Sequence, residues 1–333
     1  MNALNKKEVS EIKKQFTLAN AGLARICGCY VNYEKAIIST SKTAFLSLSE
    51  STEFKYLEIF KKTLSGGIGK CLFDVGYKAE KDSLLYRMKE TALQDKEVVD
   101  AFYQYVIEHY QYSEDYYILL AHGLYDIPGG EDVYEYLICS ICPVNLSKAE
   151  LAYKNGNMEE RVRDRIMQAP MNGFLYPAFN ERKMDVHHAL YFAKKDMQAS
   201  LVENLFQGDV PVDLKQQQEA FRKSLPEEMS FESVQELQQE LNELGFDENA
   251  ELDVNTLNKV LQRVGNYKTN EECQLPKIKT KNLAGKVKVE TDTAVITAET
   301  DCLETKVIDG RKYILVPAEG QVTINKIPVR FEA

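Results

Sequence analysis

The chain has 333 residues, 44% apolar and 28% charged, with a formal net charge of −10. That length holds one large or two to three smaller cores, and the composition is that of an ordinary globular chain. The excess of acid excludes a protein that coats nucleic acid indiscriminately, and no run of eighteen apolar residues exists to cross a membrane.

The opening segment MNALNKKEVSEIKKQF lacks the apolar region of a signal peptide and reads as a short amphipathic helix with Val9, Ile12 and Phe16 on one face. Without an export signal, the cytoplasm is the expected compartment. Seven irregularly spaced cysteines agree, because an odd set in apolar runs reads as reduced, packed thiols rather than a disulfide framework. Arg25–Tyr33 reads as a strand, followed by a turn around Asn32–Lys35 and a second strand near Thr43–Leu48. Ser51 is placed to cap a helix carrying Phe54, Leu57, Phe60 and Leu64, with Gly66 as its stop. Gly69–Tyr77 reads as a strand, and Lys81–Leu93 and Glu97–Tyr110 as helices.

Residues 116–194 carry four or five strand-like runs, YYILLAHGLYDIP, VYEYLICSICPVNLSKAELAY, GFLYPAF and HALYFA among them, with a helix expected at Met158–Gln168. Short connections between adjacent runs predict an α+β fold: a mixed or antiparallel sheet with helices packed on it, over residues 1–200. The texture then changes. Residues 201–270 hold six Lys/Arg against fourteen Asp/Glu. The segment 201–265 is read as acidic and helical. Within it, Phe231, Val234, Leu237, Leu241 and Leu244 share one helical face after Ser230. Asp253 caps a second helix that turns Leu257, Val260, Leu261 and Val264 inward. Residues 277–333 are β-like throughout, and Asp309-Gly310 between two apolar runs is a hairpin turn signal, so a small antiparallel module is expected there.

Most residues capable of chemistry lie in the central stretch. The polar insert Asn180–His188 (NERKMDVHH) joins two apolar strands. Asp185 beside His187 could orient an imidazole as a general acid/base pair, and Arg182 with Asn180 could grip a phosphate or carboxylate. The bland alternative is a solvated hairpin loop with one internal salt bridge. His122 and Asp126, beside Pro128-Gly129-Gly130, form a weaker candidate of the same kind. Cys139-Ser-Ile-Cys142 and Cys27-Gly-Cys29 have ligand-like spacing and, together with His187 and His188, could make a tetrahedral zinc site. On an extended strand, however, Cys139 and Cys142 point to opposite faces, and Cys27 with Cys29 is two ligands short of a zinc site. These four are read as buried thiols, with no metal and no cofactor expected. Ser65–Lys70 (SGGIGK) lacks the first glycine of a phosphate-binding loop and has Cys71 where Ser or Thr is required. Lys277, Lys279, Lys281, Lys286 and Lys288 form a basic run able to touch a phosphate backbone, or equally the wet face of a strand.

The blocks NKKEVSEIKKQFT, RICGCYVN, FKYLEIFKKTLSG, YLICSICPVNLSK, GFLYPAFNERKMDVHHALYF and VIDGRKYILVPAEG together resemble the bacterial, Clostridia-type family of domain of unknown function 4317, over nearly the whole chain. The resemblance implies a bacterial cytoplasmic protein and carries no assigned activity, hence no catalytic residues. The expected function is therefore that of a non-enzymatic protein binding a macromolecular partner, with nucleic acid as one version through the five lysines. The alternative is an enzyme, such as a hydrolase, acting on a phosphorylated or carboxylated substrate at Asn180, Arg182, Asp185 and His187.

Overall fold

A computed structural model describes residues 5–78, 83–129, 132–154, 156–160, 163–227, 229–245, 250–270, 275–276, 278–280, 283, 285–290, 295–298, 303–316, 322–324 and 327–329. The chain divides into two compact units, Asn2–Pro211 and Val212–Ala333.

The first unit is built on one sheet. In chain order it contains α1 (Lys6–Lys13), β1 (Leu23–Val31), β2 (Ile37–Ala44), α2 (Glu50–Thr63), β3 (Leu72–Gly76), α3 (Leu84–Glu90), α4 (Lys96–His109), β4 (Tyr116–Asp126), β5 (Val133–Leu146), β6 (Leu151–Lys154), β7 (Asn157–Glu160), β8 (Arg165–Met167), β9 (Asn172–Tyr176), β10 (Ala178–Asn180), β11 (Lys183–Asp185), β12 (His188–Ala193) and α5 (Ala199–Phe206). The strand order is β2-β1-β4-β5-β9-β12-β3, with β8 paired to β5, and every named pairing is antiparallel. The fold is α+β, and of the two sheet types expected, the antiparallel one is formed.

Antiparallel sheets commonly leave one face wet, and their strands then alternate apolar with polar residues. Here both faces are covered, which is why β4 and β5 read as almost unbroken apolar runs. One face presents Cys27, Cys29, Ile118, Leu120, Leu137, Cys139, Phe174 and Tyr191 to α3, α4 and α5. The other presents Ile26, Leu119, Tyr136, Ile138, Leu175, Leu190 and Phe192 to Ile12 and Phe16 at α1 and to Leu57 and Phe60 of α2. Neighbouring residues of each strand divide between the two cores, as the two-residue period requires.

Four local expectations are corrected. The second strand ends at Ala44, where a single 3-10 turn over Phe45–Ser47 begins, so Thr43–Leu48 is not a strand. Helix α2 starts at Glu50 with Ser49 as its N-cap, two residues ahead of Ser51. Among the described residues of Met158–Gln168 no helix forms: β7 and β8 lie there, and β6 with β7 makes a separate two-stranded ribbon. The α5 residues Leu201, Val202, Leu205 and Phe206 belong to the first sheet's core rather than to the acidic segment that follows.

The second unit contains α6 (Leu214–Ser224), α7 (Phe231–Gly245), β13 (Glu251–Leu252), α8 (Val254–Gly265), β14 (Ile278–Lys279), β15 (Val287–Glu290), β16 (Val295–Ala298), β17 (Glu304–Ile308), β18 (Arg311–Leu315), β19 (Val322–Ile324) and β20 (Ile327–Val329). Asp253 caps α8 by accepting from the Thr256 backbone N–H, which satisfies one of the helix's free N-terminal donors. Helix α8 buries Leu257, Val260, Leu261 and Val264 against Leu237 and Leu241 of α7, Leu252 of β13 and Ile278 of β14. Val234, assigned inward from its spacing, is 43% exposed. Beyond β14 the β segments are separate two-stranded hairpins, and β17 is exposed along its whole length. The turn between β17 and β18 is Asp309-Gly310, both with positive φ (49° and 75°), as a type I′ hairpin turn requires.

Candidate functional site

The Asn180–His188 insert folds as the β10–β11 hairpin. Its turn residues Glu181 and Arg182 both sit in the left-handed region, with φ of 50° and 57°, a conformation usually left to glycine or asparagine. Carboxylates from α1 hold it there. Glu8, 8% exposed, accepts from the Arg182 backbone N–H at 2.8 Å. Arg182 Nη2 donates to Glu11 Oε1 at 3.0 Å and to the Pro128 carbonyl at 3.2 Å, and the Tyr125 hydroxyl donates to the same Glu11 oxygen at 2.8 Å. Burial raises the Glu8 pKa above the ordinary carboxylate range; the Arg182 hydrogen bond opposes this, and Glu11 and Glu181 add to it.

The four predicted residues are not gathered into one group. Asn180 and Asp185 do meet: Asn180 Nδ2 donates to Asp185 Oδ2 at 2.9 Å, and Asp185 Oδ1 accepts from the His187 backbone N–H at 3.1 Å. Asn180 Oδ1 is buried without a hydrogen-bond partner. Arg182 is engaged by Glu11, and the His187 side chain is exposed.

The imidazole beside a carboxylate is instead His188. It stands on β12 across from β3, with Nδ1 2.9 Å from Asp74 Oδ1. The hydrogen bond to Asp74 raises its pKa. Partial burial opposes that rise, and the charges of Asp74 and Asp185 reinforce it. This orientation leaves Nε2 as the nitrogen available to a second group. The sequence carried a signal for the pair: Asp74 is the one charged residue inside the apolar run CLFDVGY. A group with a raised folded pKa contributes stability below its unfolded pKa and loses it as pH rises through the folded value. His188→Asn should therefore reduce stability below about pH 6.5 and have progressively less effect above the folded pKa. Urea titrations of both proteins across that range check this, and a pH-independent difference would contradict it.

On the opposite face, His122 is 3% exposed, and its partner is not Asp126. Asp126 lies four residues along β4, about 13 Å away at strand rise, and is exposed. His122 Nε2 instead lies 2.7 Å from Glu135 Oε1 of β5. Glu135 Oε2 accepts from Lys89 Nζ of α3 at 3.3 Å, and Lys89 also donates to Glu90 at 2.8 Å. Burial pushes Glu135 upward, yet the His122 and Lys89 contacts outweigh it and leave the pKa lowered. His122 Nδ1 is buried without a partner.

Cys27, Cys29 and Cys139 share the face packed by α4, while Cys142 points to the other, where the Lys62 charge of α2 acts on it. Burial raises all four thiols, Cys29 and Cys142 to about 12, so none is poised as a thiolate. Among the described residues no group of three or more His, Cys, Asp or Glu is placed to hold a metal ion. In the basic run, Lys277 and Lys281 lie outside the described residues, and only the backbone of Lys279 is described. Lys286 and Lys288 are exposed, and Lys288 donates to Glu290. No helix among the described residues is long and apolar enough to cross a membrane.

A family model described as Domain of unknown function (DUF4317) matches residues 4–327. No match is found among curated proteins or among solved structures.

Proposed function

We propose that this chain, which belongs to the family described as Domain of unknown function (DUF4317), is a non-enzymatic, cytoplasmic bacterial protein that binds a macromolecular partner. One observation carries the reading. The β6–β7 ribbon leaves the sheet after β5 and the chain returns to it at β8, and the apolar residues on one ribbon face are exposed. Leu151 is 66% exposed, Tyr153 75% and Met158 58%, and Tyr153 pairs with Met158 across the ribbon. Exposed Leu146 and Ile166 flank its base. A lone two-stranded hairpin is marginal in water, and contiguous exposed apolar surface on a soluble chain marks a contact surface.

A photo-crosslinking residue placed at Tyr153 in the native host tests this. The expected result is a discrete adduct that disappears with Met158→Asp and is absent when the crosslinker stands at exposed Lys35. Equal labelling at both positions would overturn the reading. Adducts with nucleic acid rather than protein would identify the nucleic-acid version, which further predicts salt-sensitive retention weakened by neutralising Lys286 and Lys288.

The enzyme reading has one observation in its favour, the Asp74–His188 pair with Nε2 uncommitted. Arg182 Nη2 is paired with Glu11, an arrangement that favours the binding-protein reading over an anion grip.

A further inference from the structure

We propose that the edge strand β2 pairs antiparallel with β2 of a second copy of this chain, joining the two sheets across a twofold axis. The two edges of the first unit's sheet are β2 and β3, and they are finished differently. At β3 the chain covers its own edge. The Lys78 backbone N–H donates to the Phe206 carbonyl at 3.3 Å, and Gly208 lies so close to the Gly76 carbonyl that a Cβ on it would come within 2.2 Å. At β2 the residues Ile38–Lys42 are all exposed. Among the described residues, the backbone from Ile37 to Thr43 has no hydrogen-bond partner outside β1. Such an edge is a template for another strand, and monomeric proteins guard it with lysine, proline, a bulge or a cover. Here the one lysine is turned aside: Lys42 Nζ donates to the Gln94 carbonyl, at 2.8 Å, in the connection between α3 and α4. The strand has no proline, and its bulge, at Ile38, leaves Ser39–Ala44 in regular register.

The side chains select the occupant. Strand addition by a flexible peptide draws its specificity from pockets for alternate side chains, and ordering that peptide costs about 1–2 kcal/mol per residue. Ser39, Thr40, Ser41 and Thr43 are too short to wall such pockets. A second β2 is already held extended by β1, so the ordering cost is absent. Opposed residues share a face of a sheet, so a twofold perpendicular to it must pass through a residue. With the axis at Ser41, Thr40 of each copy faces Lys42 of the other, and Ile38 faces Ala44, two residues before Leu46. Ile38 and Leu46 are both exposed, Leu46 by 81%, and this register brings them together at both ends of the pair. An axis at Lys42 would oppose two ammonium groups, and an axis at Thr40 would set Leu46 against Glu34. The edge shares no residue with the β6–β7 ribbon, so this inference does not rest on the proposed function. A chain-to-chain adduct has twice the chain's mass, which distinguishes it from an adduct of the ribbon with another molecule.

Sedimentation of the full chain between about 1 and 100 µM tests the pairing. The expected result is a concentration-dependent dimer with a Kd of about 50 µM or tighter. Thr40→Lys sets like charges opposite each other twice and should weaken the dimer by about tenfold, whereas Thr40→Glu faces Lys42 and should not weaken it. Leu46→Asp should also weaken it by about tenfold. All three replace exposed residues and should leave the melting temperature of the dilute chain unaltered. A single-chain mass at about 100 µM, a dimer indifferent to both Thr40→Lys and Leu46→Asp, or equal weakening by Thr40→Lys and Thr40→Glu would each overturn the proposal.

Discussion

Replacing Lys89 with alanine should lower the stability of the Asn2–Pro211 unit by about 3 kcal/mol, the lower end of the range for breaking a buried charge pair. The Lys89 side chain is 4% exposed, so its ammonium is tolerated only because Glu90 and Glu135 both accept from it. Burial pulls its pKa down, but the two carboxylates more than offset this and hold the amine above its ordinary value. The lower end applies because Glu135 is 32% exposed and keeps His122 after the change. Urea unfolding followed by tyrosine fluorescence reads the effect. The chain has no tryptophan, and all but Tyr267 and Tyr313 of its nineteen tyrosines lie in this unit.

The pH dependence gives the same network a second readout. Glu135 has a lowered folded pKa, so its contribution is present above the ordinary glutamate value of about 4.3 and is lost as pH falls through the folded value. Lys89 is the opposite case. Its contribution is present below the ordinary lysine value of about 10.4 and is lost as pH rises through the raised one. Lys89→Ala should flatten both limbs. A double-mutant cycle with Glu135→Gln should show coupling of more than about 1 kcal/mol, whereas additive single effects would mean that the two charges act independently.

What could be read from the sequence followed how local each feature is. The α8 face was legible because a capped helix repeats its apolar residues at fixed spacing, and all four predicted residues are buried. The β4 and β5 runs were legible as strands from β-branched and aromatic content. The helix expected at Met158–Gln168 failed for an equally local reason. That stretch is rich in charged residues with Val162 and Ile166 four apart, which resembles one side of a helix, but the Asn155-Gly156 dipeptide stands just before it. An Asn-Gly pair is a two-residue hairpin signal, and the register Lys154↔Asn157 places Gly156 at the ribbon's turn.

The polar residues were harder, because their roles are set by partners distant in sequence. Arg182 was read as free to hold a ligand, yet its carboxylate is Glu11, 171 residues earlier. His122 was matched with Asp126 on its own strand, while its partner Glu135 stands on the next one. Pairing β4 with β5 through the intervening turn would bring Glu135 within a diagonal step of His122, since His122 faces Leu137 and Leu124 faces Glu135. The buried Lys89 had no such cue. One lysine on a short helix reads as surface until the sheet beneath it is known.

Gly173→Ala should be severely damaging to the first unit, costing about 4 kcal/mol or more. Gly173 is in β9, between β5 and β12, opposite Ser140 on one side and Phe192 on the other. A Cβ built there collides with the backbone carbonyl of Cys139 and comes within 2.7 Å of Thr63 Cγ2 on α2. The Thr63 methyl could yield only by disturbing its buried hydroxyl bond to Ser140, at 2.7 Å. The Cys139 carbonyl cannot yield at all without pulling β5 out of its pairing with β4 or β9. Thr63→Ala should therefore fail to rescue Gly173→Ala, because the backbone collision remains. Gly76, on the edge strand β3, is the control. A Cβ there meets nothing within 4 Å, so Gly76→Ala should change stability by less than about 1 kcal/mol. Thermal melts of the three variants separate the outcomes. If Gly173→Ala melts as Gly76→Ala does, the close approach of β9 to the Cys139 carbonyl is not a constraint on the fold.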